Sequence, residues 1–165
     1  MAHKIVVMGV SGCGKTTLAA ALARALSCPL IEGDDHHLPA SREKMRRGVA
    51  LGDADREPWL DALAALIAQA PADAVLTCSA LKRAYRERLR RHVPGLRFVY
   101  LAIDAADARE RVAARPAHFF PASVVASQFA ALEPPDGEPG VIRLEAARPL
   151  HDLCGAVLAW LAAPA

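Results

Sequence analysis

The pattern of hydrophobic and polar positions predicts short buried strands that alternate with amphipathic helices. Compact apolar runs, several of them rich in valine and isoleucine, are typical of strands buried in a parallel sheet. They lie at residues 4–8, 29–31, 74–77, 96–103 and 141–144. Between them, apolar side chains at three- and four-residue spacing predict helices. One helix should begin near residue 15, and others should lie at 41–47, 58–67, 81–89 and 105–114. A further helix should end at about residue 132, and the last should span 150–161.

Local signals refine three of these boundaries. Ser41 is a plausible N-cap for the helix at 41–47, and Gly48 should end that helix. Pro58 suits the first turn of the following helix, and residues 32–35 are expected to form the exit loop of the second strand. Strands that alternate with helices favour an α/β fold in which helices cover both faces of a parallel sheet.

Composition narrows the class of protein. A chain of 165 residues fits one domain. Its formal net charge of +2 suits an anionic small ligand and gives little support for a nucleic-acid partner. The four cysteines form no CxxC pair, as expected for free thiols in a reducing compartment. No secretory signal and no apolar run of about 18 residues is evident, so we expect a cytoplasmic protein without a membrane partner.

The segment from Gly9 to Thr16 matches G-x-x-x-x-G-K-[ST], the phosphate-binding loop of nucleoside triphosphate enzymes. Glycines let backbone N–H groups converge on phosphate oxygens, and the helix that starts there directs its positive end at the same oxygens. Lys15 should reach the β- and γ-phosphates, and the Thr16 hydroxyl should bind Mg²⁺. The residues expected to hold the nucleotide here are Gly9, Ser11, Gly12, Cys13, Gly14, Lys15, Thr16 and Thr17. Cys13 has two interpretations, an oxidisable thiol or a small residue that fits the loop.

Asp34 is the candidate general base. Ligands of open parallel sheets bind at the carboxyl ends of the strands, so the loop after the second strand should lie beside the phosphates. A carboxylate there can accept the proton of an attacking hydroxyl. The alternative is that Asp34 only caps the next helix. The third strand ends in Thr77-Cys78-Ser79 without the customary acidic residue, so a carboxylate that assists Mg²⁺ through water would be Glu32 or Asp34.

Several longer segments resemble the P-loop gluconokinases, which are relatives of shikimate and nucleoside-monophosphate kinases. The matching blocks are GVSGCGKTT, EGDDHH, EKMRRGVALGDADREPWL, CSALKRAYRERLR, FVYL, HFFPASVVASQFAALEPP and RPL. The resemblance implies a three-layer fold like that of the nucleoside-monophosphate kinases, with a five-stranded parallel sheet in the order 2-3-1-4-5. It also implies ATP- and Mg²⁺-dependent phosphorylation of D-gluconate to 6-phospho-D-gluconate by a homodimer.

The same resemblance assigns roles to individual residues. It implies that Asp34, Lys15 and Arg115 are catalytic and that the nucleotide is also contacted by Arg111, Arg115 and Arg148. The implied gluconate contacts are Asp34, His37, Lys44, Arg56, Lys82, Arg86 and His118. An acceptor-binding segment at about 35–60 and a lid at about 111–125 follow from it. Two departures from the family are Pro116-Ala117, which stiffens the lid, and Arg148, which stands where glutamine is common.

Alternatives remain for several of these residues and for the function. Arg56 could only pair with Asp53 and Asp55, and Trp59 could pack under the sugar or in the core. Arg111 and Arg115 could be solvated surface arginines. The protein could instead phosphorylate shikimate or another small hydroxy acid, or bind nucleotide without any acceptor chemistry.

Overall fold

The computed structural model describes residues 1–115 and 122–164, and its centre is a parallel β-sheet. The strands are β1 (Lys4–Met8), β2 (Leu30–Glu32), β3 (Ala74–Thr77), β4 (Arg97–Ala102) and β5 (Val141–Glu145). Their order in the sheet is β2-β3-β1-β4-β5, and every neighbouring pair is parallel. The predicted fold class and strand order are therefore confirmed.

Seven α-helices and one short 3₁₀ helix occupy the connections within the described part of the chain. They are α1 (Lys15–Leu26), α2 (Pro39–Arg46), α3 (Asp53–Gln69), α4 (Arg83–His92), α5 (Ala105–Ala113), α6 (Ala122–Ala131) and α7 (Leu150–Ala162). The 3₁₀ helix spans Gly33–His36. None of the helices in residues 1–115 and 122–164 is both long and apolar enough to cross a bilayer.

Alternate residues of the central strand enter two separate hydrophobic clusters. In β1, Ile5 and Val7 face a cluster formed with α1, α5, α6 and α7. Val6 and Met8 face the opposite side, where they pack with side chains of α3 and α4. Successive side chains of a strand point to opposite faces, so a continuous apolar run such as Lys4–Met8 supplies both clusters. The result is three layers with the sheet in the middle.

The parallel register brings the carboxyl ends of β1, β2 and β3 together at one edge of the sheet. Val7 pairs with Thr77, and Glu32 pairs with Thr77 from the other side. The phosphate loop after β1 and the segment after β2 are therefore neighbours in space although they are distant in sequence. That second segment is the 3₁₀ helix Gly33–His36, where the sequence analysis expected a loop.

Two predicted boundaries are wrong. α2 begins at Pro39 with Leu38 at the N-cap position, because proline lacks the N–H that a first turn leaves unpaired anyway. Ser41 is a buried residue inside the helix. Pro58 lies in the interior of α3, because Asp55 accepts a hydrogen bond from the backbone N–H of Gly52 at 2.9 Å and starts the helix earlier. Gly48 ends α2 as predicted, with a φ of 76°.

Candidate active site

The phosphate loop joins β1 to α1, and its conformation depends on glycine. Gly12 and Gly14 adopt φ angles of 86° and 96°, which side-chain-bearing residues rarely take. A Cβ on Gly12 would also lie 2.7 Å from the carbonyl oxygen of Ala108 in α5. Glycine is therefore required at this position both for the turn and for the close approach of α5. Cys13 is 2% exposed, which supports its interpretation as a small residue that fits the loop.

Lys15 and Thr16 are directed by the first turn of α1. The Lys15 ammonium donates to the carbonyl oxygens of Gly9 and Val10 at 3.0 and 3.1 Å, which holds it over the loop. The Thr16 hydroxyl donates to Glu32 Oε2 at 3.2 Å. The side chain expected to bind Mg²⁺ therefore lies beside a carboxylate from the end of β2.

Glu32, at the end of β2, is positioned to take the role of the acidic residue that is missing at the end of β3. Its Oε2 accepts a hydrogen bond from the Thr77 hydroxyl at 2.7 Å, and Thr77 in turn accepts the backbone N–H of Gly33 at 3.0 Å. Glu32 Oε1 is buried and has no hydrogen-bond partner among the described residues. An oxygen left in that state is costly unless a ligand or water satisfies it. Burial raises the pKa of the neighbouring Cys78 thiol to about 12, so Cys78 stays neutral and cannot serve as the anion.

Asp34 is held by the 3₁₀ helix and caps no helix. The residue before α2 is Leu38, and no side chain caps that helix, so the capping alternative for Asp34 is wrong. His37 Nε2 lies 3.5 Å from Asp34 Oδ1. The His37 ring stacks on Trp59 with centroids 4.1 Å apart, and the Trp59 indole N–H donates to the Gly33 carbonyl at 2.8 Å. Trp59 is 2% exposed, so it packs in the core and supports His37 from below.

Opposing effects set the pKa of Asp34. Partial desolvation by the surrounding protein raises the pKa of Asp34, although 54% of its side chain remains exposed to solvent. The hydrogen bond with His37 and the positive charges of Lys15 and Arg56 lower it by more, so the pKa of Asp34 lies below its usual value. The carboxylate is therefore ionised at neutral pH and able to accept a proton.

A cavity opens beside Asp34, between α6 on one side and the loop after β3 on the other. Its polar lining comes from the phosphate loop, the start of α1, the 3₁₀ helix with the residue after it, α3, the loop after β3, α4 and α6. Its apolar lining comes mainly from the segment after α2. The lining residues are Ser11, Lys15, Asp34, His37, Met45, Val49, Ala50, Leu51, Arg56, Ser79, Leu81, Lys82, Tyr85, Val124, Ser127, Gln128 and Ala131. We call it the acceptor cavity.

A second, smaller cavity lies over the phosphate loop, and we call it the phosphate cavity. It is lined by Ser11, Gly12, Gly14, Lys15, Thr16, Asp34 and Arg115. Three residues line both cavities, namely Ser11, Lys15 and Asp34. A group bound over the loop and a molecule bound in the acceptor cavity would therefore meet beside the Asp34 carboxylate.

The cations expected around the acceptor differ in their positions. The Arg56 guanidinium lies 5.9 Å from the Trp59 ring and 5.6 Å from the Tyr85 ring, and donates to Ser79 Oγ at 3.5 Å. Within the described residues no ion pair joins it to Asp53 or Asp55, so the purely structural alternative for Arg56 is not supported.

The two lysines are each held by an aspartate from the first turn of α3. Lys82 lines the acceptor cavity and pairs with Asp53 at 3.1 Å. Lys44 pairs with Asp55 at 3.0 Å and lies beside the cavity without lining it. Lys82 is therefore the better placed of the two for a bound acceptor.

The prediction that Arg86 contacts the substrate is corrected by the structure. Arg86 is 0% exposed, and its guanidinium pairs with Glu138 at 2.6 Å. The remaining donors bind the carbonyl oxygens of Ala80, Leu81 and Glu133. Every guanidinium nitrogen already has a partner inside the protein, so none is left for a ligand. Arg86 instead fixes the loop that supplies Ser79, Leu81 and Lys82 to the acceptor cavity.

The residues expected over the nucleotide are only partly described. Arg111 donates to the carbonyl oxygens of Gly12 at 3.4 Å and Ala146 at 3.3 Å, so it links the phosphate loop to the loop after β5. Arg115 lines the phosphate cavity. Arg148 is exposed in the loop between β5 and α7, where its backbone N–H donates to the carbonyl of Glu145. His118, Pro116 and Ala117 lie outside the described residues.

Three residues of the site were missed by the sequence analysis. Tyr85 was covered only by the apolar spacing of the helix predicted at 81–89, yet it lines the acceptor cavity and its hydroxyl donates to Asp53. Thr77 was noted only because the end of β3 lacks an acidic residue, yet its hydroxyl donates a hydrogen bond to Glu32. Gln128 was included only in the matching block HFFPASVVASQFAALEPP and was assigned no role, yet its Oε1 accepts the backbone N–H of Ser11 at 2.7 Å. For Gln128, the one available signal was its place on one face of the predicted helix, four residues after Val124 and three before Ala131.

A phosphate loop, an ionised carboxylate and a cation-lined cavity that meet at one edge of a parallel sheet define a P-loop kinase of a small polar acceptor. A protein-family model described as an AAA domain matches residues 5–135. A gluconokinase from Gluconobacter oxydans is 48% identical over 144 residues, which cover 85% of this chain and 80% of that protein. The chain therefore belongs to the gluconokinase family.

Two further comparisons agree with this membership. The thermoresistant gluconokinase of Escherichia coli is 36% identical over 160 residues, covering 94% of this chain and 91% of that protein. The crystal structure of a gluconokinase from Sinorhizobium meliloti superposes with a TM-score of 0.89 at 43% identity, covering 97% of this chain and 91% of the other. The likeness extends over nearly the whole chain, so it includes both cavities.

Proposed function

We propose that this protein transfers the γ-phosphoryl group of ATP to D-gluconate and forms ADP and 6-phospho-D-gluconate. One observation carries the proposal: Ser11, Lys15 and Asp34 line the phosphate cavity and the acceptor cavity at once. A kinase needs that junction, since its two substrates must meet in line with water excluded. Membership of the gluconokinase family supports gluconate as the acceptor.

The Asp34 carboxylate receives the proton of the attacking hydroxyl. The 6-hydroxyl oxygen of gluconate forms a bond to the γ-phosphorus while the bond from that phosphorus to the ADP oxygen breaks. The hydroxyl proton passes to Asp34. His37 orients the carboxylate, and the lowered pKa of Asp34 keeps it ready to accept a hydrogen bond at neutral pH.

The phosphates are bound by groups that already surround the phosphate cavity. The backbone N–H groups of Gly12, Gly14, Lys15 and Thr16 and the Lys15 ammonium bind the β- and γ-phosphates, and Arg115 neutralises charge on the transferring group. Thr16 would hold Mg²⁺ directly, and Glu32 would hold one of the waters of the ion. Bound there, Mg²⁺ neutralises the negative charge of the triphosphate.

The gluconate carboxylate and hydroxyls require different partners. Arg56 is the guanidinium of the acceptor cavity, and planar bidentate pairing makes it the best partner for the carboxylate. His37 and Lys82 line the same cavity and would bind the hydroxyls. Lys44 and His118 remain further gluconate contacts in this proposal. The segment 35–60 and the lid 111–125 are the parts that would close over the two substrates.

The proposed setting is a cytoplasmic homodimer with ATP as the phosphoryl donor. All four cysteines are free thiols, which suits a reducing compartment. The dimer is the state that the family resemblance implies, and the mass in solution measured by light scattering would test it.

Acceptor-dependent ADP release tests the proposed function. Purified protein with ATP and Mg²⁺ should release ADP rapidly with D-gluconate and at background rates with shikimate or with no acceptor. Faster turnover with shikimate would move the assignment to another hydroxy-acid kinase. ADP release that does not depend on any acceptor would contradict the kinase assignment.

A further inference from the structure

Gln128 connects the two cavities through a single side chain. Its Oε1 accepts the backbone N–H of Ser11 at 2.7 Å, across 117 positions of sequence. Gln128 is 7% exposed and Ser11 is 6% exposed, so the bond is shielded from water. Ser11 belongs to the phosphate loop and lines both cavities, whereas Gln128 lines the acceptor cavity.

The orientation of the Gln128 amide follows from its partner. A backbone N–H can only donate, so the atom that faces Ser11 must be the carbonyl oxygen. The amide nitrogen, which carries two protons and cannot accept, is then left on a side chain that lines the acceptor cavity. A polyol offers hydroxyl oxygens that accept such a bond.

α6 is held on both sides of the acceptor cavity, so it can keep the Gln128 amide in a defined position. Val124, Ser127, Gln128 and Ala131 line the acceptor cavity at spacings of three and four residues, so one face of the helix forms a wall of it. Its C-terminal end is fixed to the opposite wall, since the backbone N–H of Glu133 donates to Leu81 at 2.8 Å. The packing of α5 against α6 fixes the other side, where Arg111 donates to Gly12 of the same loop.

We propose that Gln128 is a positioning residue that couples occupation of the acceptor cavity to the shape of the phosphate loop. Its Nε2 donates a hydrogen bond to a hydroxyl oxygen of the gluconate bound in the acceptor cavity. The amide is fixed by that bond and holds Ser11 in place through Oε1. The inference rests on the proposed function, since it takes gluconate as the acceptor. It requires that gluconate tighten the binding of ATP and that ATP tighten the binding of gluconate by the same factor.

The test measures the dissociation constant of a non-hydrolysable ATP analogue with Mg²⁺, in the presence and absence of saturating gluconate. The ratio of the two constants is the coupling factor. Wild-type protein should bind the analogue about 5- to 150-fold more tightly with gluconate, the usual range of such coupling. In Gln128→Met, which keeps the length of the side chain but has neither donor nor acceptor, the coupling factor should fall to about 1, the value without coupling.

A second variant and a matched control keep the result interpretable. Gln128→Glu retains an oxygen for Ser11 but loses the amide donor, so its coupling factor should also fall to about 1 or below. Ala130→Gln places an additional glutamine on an exposed position of the same helix and should keep the wild-type coupling factor. If Gln128→Met does not fold, Gln128→Glu decides the question.

A role confined to structure would weaken binding of the analogue equally with and without gluconate and leave the coupling factor unchanged, and that result would overturn the inference. Absence of coupling in a wild-type protein that turns over gluconate would also overturn it while leaving the proposed function intact. Absence of both coupling and turnover with gluconate would instead reject the proposed function.

Discussion

At the scale of single residues, the charge state of Asp34 depends on His37. Partial desolvation raises the pKa of Asp34, and the lowering contributions come from His37, Lys15 and Arg56. Of these groups only His37 both donates a hydrogen bond to the carboxylate and stacks on a buried aromatic ring, that of Trp59. Replacing His37 therefore changes the pKa of Asp34 without removing a phosphate ligand.

His37→Phe should move the acidic limb of kcat/KM for gluconate to higher pH. Phenylalanine keeps the stacking on Trp59 but gives no hydrogen bond and no positive charge, so two of the lowering contributions disappear and the pKa of Asp34 rises. In the wild-type protein the pKa is lowered, so activity that depends on ionised Asp34 is retained until the pH falls below the usual aspartate range. The measurement is the pH dependence of kcat/KM for the two proteins.

His36→Phe makes the same substitution at the exposed neighbouring position and should leave the acidic limb unchanged. Protonation of gluconate and ATP affects all three proteins alike, so it cancels from the comparison. An acidic limb that stays in place or moves to lower pH in His37→Phe would contradict the assigned interaction.

The residues whose placement could be predicted from the sequence are those whose chemistry is local. Lys15 and Thr16 belong to a contiguous motif, and Asp34 follows a strand at a position that the fold class defines. Arg86 could not be assigned in this way, because its partners Glu133 and Glu138 lie 47 and 52 positions away. Gln128 is separated from Ser11 by still more of the chain.

At the scale of secondary-structure elements, a buried ion cluster joins α4 to the segment before β5. Arg86 and Arg90 of α4 both pair with Glu138, whose side chain is only 6% exposed. Arg86 also binds the carbonyl of Ala80, which adopts a φ of 46°. A left-handed conformation costs about 1 kcal/mol for a residue with a Cβ, so the hydrogen bond from Arg86 helps to hold a strained loop at the wall of the acceptor cavity.

Arg86→Met should reduce the free energy of unfolding by about 3–5 kcal/mol, because removing one partner leaves Glu138 buried with only Arg90 as its counter-ion. Urea denaturation followed by tryptophan fluorescence measures this change. Arg83→Met, on the same helix, removes an exposed arginine that lies 3.9 Å from Glu87, and should cost less than about 1 kcal/mol. Equal effects of the two substitutions would contradict the structural role of Arg86.

The boundaries of the elements show where sequence patterns are insufficient. Proline in the interior of an α-helix normally destabilises the helix, so the sequence analysis placed Pro58 in the first turn. The capping by Asp55 and the buried face of Trp59, Leu60 and Leu63 outweigh the one backbone hydrogen bond that Pro58 cannot donate. Such a balance depends on tertiary packing, which the local pattern does not contain.

At the scale of the whole molecule, parallel strand order brings the phosphate loop, Glu32 and Asp34 to one edge of the sheet. The alternation of strands and helices predicted a parallel sheet covered by helices, and the resemblance to the gluconokinases implied the order of its strands. The division of that edge into two cavities was not predictable, since it depends on the contact of α6 with the phosphate loop. The central claim that follows is that phosphoryl transfer occurs where the two cavities meet, at Asp34.

The most direct test of that claim compares Asp34→Asn with Asp35→Asn, an exposed neighbour in the same 3₁₀ helix. Steady-state turnover with gluconate and equilibrium binding of ATP with Mg²⁺ are measured for both variants. Asp34→Asn should lower kcat by ~10²–10⁴-fold with ATP binding largely intact, the usual effect of losing a general base. Asp35→Asn should stay close to wild type. Near-normal turnover in Asp34→Asn would contradict the claim.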